Sequence, residues 1–131
     1  MNKRGVLNPY ISSVIAGMGH GDMLVIGDAG LPVPEGVSCI DVSVIAGIPR
    51  FTQVLTAVLG DLAVEKAYIA SEMAGQNPAV YEETVKQLDS IAIQAMSHEE
   101  LKVLSDKACV VIRTGECTPF ANVILVAGVT F

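Results

Sequence analysis

Tryptophan is absent from this chain, and tyrosine and phenylalanine contribute three residues each. A binding module built on aromatic cages or stacked bases needs more rings than that. Positive charge is also scarce. Eight Lys and Arg stand against 14 Asp and Glu, for a net charge of −6. A nucleic-acid grip needs clustered cations, so it is excluded, and an anionic membrane surface offers no attraction. No apolar run approaches the roughly 18 residues of a membrane span. Lys3 and Arg4 precede a mildly apolar stretch, but Asn8-Pro9, Ser12 and Ser13 break it before a leader-like core can form. Cysteines are few, odd in number and without CxxC spacing: Cys39, Cys109 and Cys117. No disulfide framework is expected. A reducing cytoplasm fits, with the thiols as small core fillers.

Familiar cofactor and nucleophile motifs are missing too. There is no GKS or GKT, no GxSxG and no HExxH. Gly17-Met18-Gly19-His20-Gly21 has the glycines of a dinucleotide loop, but they leave a helix and enter a strand. A phosphate loop leaves a strand and enters a helix N-terminus. No cofactor site and no metal site are expected. Asp22, Asp28, Glu116, Cys109 and Cys117 could join a histidine around a metal, yet only His20-Gly21-Asp22 is a close couple.

What is present is apolar. Of 131 residues, 51% are hydrophobic and 17% charged. That excludes disorder and suits one domain over residues 1–131. Such a small domain has more apolar surface than it needs for one core. A subunit interface is the simplest outlet, so a homo-oligomer is expected.

Helix and strand signals alternate. Asn8-Pro9 reads as a cap followed by a first-turn proline, with Ile11, Val14, Ile15 and Met18 on one helical face and Gly19 as the stop. Strands are predicted at Met23 to Gly27, Val37 to Val44, Lys66 to Ala70, Ile91 to Ala95, Ala108 to Arg113 and Asn122 to Ala127. Helices are predicted at Phe51 to Leu62 and after Asn77-Pro78. A fourth follows Ser97, whose spacing to Glu100 makes a capping box. The pattern predicts an α/β layered domain, with a mostly parallel sheet of about six strands and helices on both faces.

Only two histidines occur, His20 and His98, and both lie at the ends of elements. His20 sits between glycines, where the backbone is free to approach a ligand. Asp28 follows the first strand directly, and His98 follows the fourth. Ligands in open α/β sheets bind beyond the carboxyl ends of strands. Asp28 also suits a plain turn and His98 a solvated first turn of helix, so both readings stand at this point. The polar stretch from Arg113 to Asn122 is either a crossover loop or a third part of a site.

Several of these segments resemble one family. Asn8, Gly19-His20, Asp28-Ala29-Gly30-Leu31-Pro32-Val33-Pro34, Asp41, Ser97-His98-Glu99-Glu100 and Arg113-Thr114-Gly115-Glu116 through Asn122 are similar to the D-ribose pyranase and L-fucose mutarotase family. His98 resembles the ribose-type branch. The resemblance implies a cofactor-free isomerase that interconverts pyranose and furanose D-ribose through the open-chain aldehyde. It implies His20 as proton donor, and Asp28, His98, Phe120, Ala121 and Asn122 as sugar-binding residues. It also implies a ring-shaped homo-oligomer, a decamer, with each site completed by a neighbour's C-terminal loop. One position departs: the family usually has Tyr where this chain has Phe120, so a phenol hydroxyl is lost and a ring face is kept. The alternatives are a fucose-type mutarotase, a non-catalytic sugar-binding module, and a metal enzyme on His20, Asp22 and His98.

Overall fold

Asn8 opens the first helix as its sequence demands. Its Oδ1 accepts the main-chain N–H groups of Tyr10 at 3.0 Å and Ile11 at 3.1 Å. The computed structural model describes residues 1–131. Its elements run α1 (Pro9–Gly17), β1 (Met23–Gly27), β2 (Ser38–Asp41), α2 (Phe51–Asp61), β3 (Val64–Ala70), α3 (Glu72–Gln76), α4 (Pro78–Leu88), β4 (Ala92–Met96), α5 (His98–Leu104), β5 (Val110–Arg113) and β6 (Val123–Ala127). A short 3-10 turn, Ser105–Lys107, joins α5 to β5.

The six strands form one sheet in the order β2-β5-β1-β6-β3-β4. β1 to β5 all run parallel to one another, and β6 alone is antiparallel to both its neighbours. β6 enters beside the end of β1 and leaves beside its start, with Val123 opposite Ile26 and Val126 opposite Met23. The stretch between β5 and β6 is therefore a crossover past β1, not a hairpin.

Alternation along the strands divides the core. Leu24, Ile26, Val110, Ile112, Val123 and Leu125 face α1, α2 and α4, while Val25, Val111 and Ile124 face the other side with Leu31 and Leu101. α2 contributes Phe51, Val54, Leu55 and Val58 to the first layer. Burying each of these side chains stabilises the fold by about 1.5–3 kcal/mol relative to exposure. Helices thus cover both faces, the second thinly, through α5. No helix is long and apolar enough to cross a membrane.

Several expectations shift. β2 ends at Asp41, short of Val44, because the Asp41 carboxylate takes the N–H and hydroxyl of Ser43 and turns the chain. α1 stops at Gly17, before Gly19. Asn77 does not cap α4; its side-chain amide donates to Thr118 Oγ1 and Pro119 O, both at 2.8 Å. α3 was not foreseen, being five residues long without a periodic face. The three cysteines are exposed, not core fillers. Cys39 lies on the edge strand β2, Cys109 just before β5, and Cys117 in the crossover.

Large apolar side chains remain on the outside. Val44, Ile45 and Ile48 are 74%, 63% and 52% exposed on the loop after β2, and Val103 of α5 is 69% exposed. These are the surplus that composition assigned to an interface.

Candidate functional site

Because five strands are parallel, the sheet has two chemically distinct ends. The carboxyl ends of β1 to β5 gather Asp28, Asp41, Ser71, His98 and Thr114, and the start of β6 adds Asn122. The other end holds the turn before β1, the start of β3 and the chain beyond β6.

At the carboxyl end, Asp28 and Asn122 are locked together across 94 residues of sequence. Asn122 Oδ1 accepts the Asp28 main-chain N–H at 2.9 Å, and Asn122 Nδ2 donates to Asp28 Oδ2 at 2.9 Å. The Gly30 N–H donates to Asp28 Oδ1 at 2.9 Å. Gly27 makes the clamp possible, since a Cβ there would press on Leu31 and lie 3.1 Å from Asn122 Oδ1. Asn122 and Ala121 are fully buried, so in the single chain they form the floor beneath Asp28. Phe120 is partly exposed and has a positive φ of 59°, a region that costs a non-glycine residue energy. Its ring meets His98 edge to face, with centroids 5.1 Å apart. Asp28, His98, Phe120, Ala121 and Asn122 therefore do share one end of the sheet.

His98 is the first residue of α5. Ser97 caps that helix, its Oγ accepting the Glu100 N–H at 3.1 Å. The His98 N–H itself goes to Glu72, at 3.0 and 3.1 Å from the two carboxylate oxygens. Burial works against the Glu72 charge, but the His98 N–H and the Ser71 hydroxyl outweigh it and hold the carboxyl below its ordinary value of 4.5. The His98 Nδ1 is buried without a hydrogen-bond partner. That is an unspent polar atom beside Phe120.

Glu116 is buried at the same end. Its Oε1 accepts the Phe51 N–H that opens α2 at 3.1 Å, and its Oε2 accepts the Thr118 hydroxyl at 2.9 Å. It stands in for the side-chain cap that Arg50 does not provide. A cavity of about 320 Å³ opens between Asp28, Gly30, Glu116, Thr118 and Pro119. A larger one, about 720 Å³, lies between the starts of α2 and α4 and contains neither histidine.

His20 is elsewhere. It precedes β1, whereas Asp28 follows it, so the full strand separates them by about 17 Å at ~3.3 Å per residue. Its cavity, about 330 Å³, is lined by Met18, Asp61, Leu62 and Gly128 to Phe131. Its ring partner is Glu65, with Nε2 and Oε2 2.8 Å apart. Asp28 therefore does not touch His20 within one chain. Asp22 is spent on the turn, accepting the Gly19 N–H at 2.8 Å. Glu65 and Glu72 escaped sequence reasoning because each lies 45 or 26 residues from its histidine, in no recognisable motif.

Known proteins share this architecture. Residues 1–130 match the model of the RbsD / FucU transport protein family. A D-ribose pyranase of Symbiobacterium thermophilum is 53% identical, with all of both chains covered. The structure of Bacillus subtilis RbsD complexed with D-ribose superposes with a TM-score of 0.97 at 44% identity, again covering both chains fully. FucU from Bifidobacterium longum gives 0.79 at 26% identity over 95% of this chain and 97% of its own. On sequence and structure alike, the chain belongs to the RbsD / FucU transport protein family.

Proposed function

We propose that this protein acts as a D-ribose pyranase, converting the six-membered ring of D-ribose to the five-membered ring and back. The observation that carries the reading is the clamped Asp28–Asn122 pair beside His98 and Phe120. It joins a fixed carboxylate, an imidazole and a ring face within one end of the sheet. Full-length similarity to D-ribose pyranases at about half identity supports it.

Opening a hemiacetal takes a proton from the anomeric hydroxyl and gives one to the ring oxygen as its bond to C1 breaks. The product is the open-chain aldehyde. Attack of a different hydroxyl on C1 reverses both transfers and closes the other ring. No redox change occurs, so two positioned acid–base groups and a shaped surface suffice. Asp28 accepts from sugar hydroxyls, and it stands on the buried support of Ala121 and Asn122. Phe120 packs against the apolar sugar face, and His98 bonds a hydroxyl through its imidazole. His20 is the proton donor to the ring oxygen, since an imidazole can both give and take a proton through its ring nitrogens.

One chain holds these groups at opposite ends of the sheet, so the complete site takes His20 from a second copy. The cavity of its own C-terminal residues, Gly128 to Phe131, then comes with it. The exposed Val44, Ile45, Ile48 and Val103 supply apolar surface for such a contact, in keeping with a ring of subunits.

The test is saturation transfer between anomeric protons of D-ribose with catalytic amounts of protein. Pyranose–furanose exchange should accelerate well above the buffer rate, and more than the ring-form exchange of L-fucose does. Binding of ribose without acceleration would instead select the non-catalytic sugar-binding module.

A further inference from the structure

We infer that Glu65 is the positioning residue for His20, and that Nδ1, not Nε2, is the nitrogen that exchanges a proton with the sugar. The inference rests on His20 being the proton donor proposed above.

The geometry is built from both sides. The turn before β1 is pinned by three hydrogen bonds besides that of Asp22 to Gly19: Asp22 N–H to Gly19 O at 3.1 Å, Gly21 N–H to Ala127 O at 2.8 Å and Ala127 N–H to Asp22 O at 2.8 Å. His20 is thus carried on a fixed backbone. Glu65 sits near the start of β3, where Gly128 passes closely: its N–H donates to Ala63 O at 2.8 Å, and a Cβ on it would lie 3.2 Å from the Glu65 Cβ. The Glu65 side chain is thereby confined on the side of the chain's last residues and directed to the imidazole, 2.8 Å away.

A carboxylate only accepts hydrogen bonds, so the Nε2 atom facing it carries a hydrogen. Nε2 is then occupied in every state of the ring. In the imidazolium, Nδ1–H is the acid; in the neutral ring, Nδ1 holds the lone pair. As the C1–O bond of the sugar breaks, the Nδ1 proton passes to the ring oxygen, and the anomeric hydroxyl yields its proton to the carboxylate opposite, Asp28. On closure the attacking hydroxyl gives its proton to Nδ1, and the aldehyde oxygen takes one back from Asp28. Protons balance, and Glu65 changes no bond. It fixes the ring's tautomer and orientation, as the carboxylate behind a catalytic histidine does in hydrolases. As an exposed pair it adds little to stability, so its value lies in orientation.

The experiment compares the wild type, Glu65→Ala, Glu65→Gln and His20→Ala as assembled full-length proteins, by ribose exchange NMR and 15N spectra of the labelled imidazoles. Glu65→Ala should lower kcat about ten- to a hundredfold with KM within about twofold. Glu65→Gln, whose carbonyl still accepts from Nε2, should recover part of that loss. In the wild type the His20 Nε2 should be protonated and hydrogen-bonded while Nδ1 responds to bound ribose. Unchanged kcat in Glu65→Ala beside an inactive His20→Ala would overturn the inference and leave the proposed function standing. So would a ribose-dependent shift at Nε2 with none at Nδ1. An active His20→Ala would instead remove the reading on which both depend.

Discussion

The two ends of the sheet carry one histidine each and hold them in opposite ways. At the carboxyl end, His98 is gripped through its backbone by Glu72, is capped by Ser97 and leans on Phe120, and its neighbours Ala121 and Asn122 are shut off from solvent. At the amino end, the turn backbone is pinned but the His20 side chain stands in the open, 59% exposed, and is touched by a carboxylate that is itself 47% exposed. The first arrangement suits recognition, because a sugar hydroxyl must find its partner already in place. The second suits proton transfer once covered, because an imidazole has to present a free nitrogen. Neither end is complete, and the chain cannot fold back to join them across the length of β1. On the proposed function, this sheet divides binding from chemistry between its ends and leaves their reunion to assembly.

The strongest way to break that comparison is complementation. His20→Ala and Asp28→Asn should each lose most of the acceleration, about 10²–10⁴-fold for the proton donor. Assemblies reconstituted from equal amounts of the two variants should recover about one quarter of the sites, those that draw both intact residues from different chains. If mixed and unmixed samples are equally inactive in the exchange assay, the shared site is wrong.

Glu116→Ala tests whether the carboxyl end is rigid because of long-range hydrogen bonds. It leaves the Phe51 N–H and the Thr118 hydroxyl without their acceptor. Urea unfolding should show a loss of about 1–3 kcal/mol. The same substitution at Glu65 should leave the unfolding curve nearly unmoved.

Phe120→Tyr sharpens the recognition half. The ring stays against His98 and gains a hydroxyl, so KM for ribose should fall up to about tenfold, the worth of one hydrogen bond of 0.5–1.5 kcal/mol, with kcat little changed. Kinetics by exchange NMR at graded ribose concentrations distinguish the two constants.

The smallest effect is acid dependence. Glu72 ionises more readily folded than unfolded, so the folded state binds fewer protons there. Its stabilisation is complete above pH 4.5 and is lost as pH falls below that value toward its lowered folded pKa. Glu72→Gln should therefore be less stable than wild type at pH 7, with the gap shrinking below pH 4.5 in parallel urea titrations. Asp41, held low first by the Ser43 hydroxyl and then by its N–H, should behave alike below 3.8.

Much of this was legible in the residues themselves. Asn8 before Pro9, Ser97 before Glu100 and the run from Met23 to Gly27 each act within a few residues, and local chemistry decides them. The rule that ligands gather beyond parallel strands places Asp28 and His98 at one end from sequence alone. Tertiary structure decided the rest. An apolar run such as Val123 to Ala127 has no direction of its own, so only its pairing made β6 the antiparallel strand. Asn77 looks like a cap, but Thr118 and Pro119 offered its amide better partners. Glu65, Glu72 and Glu116 find their places through contacts 45, 26 and 65 residues apart, which no local pattern encodes. Above all, the sequence names His20 and Asp28 without saying that a strand divides them. Composition predicted a surplus of apolar surface, and on the proposed function the direction of β1 gives that surface a use, since two groups at opposite ends of a rigid sheet would have to meet in a second copy.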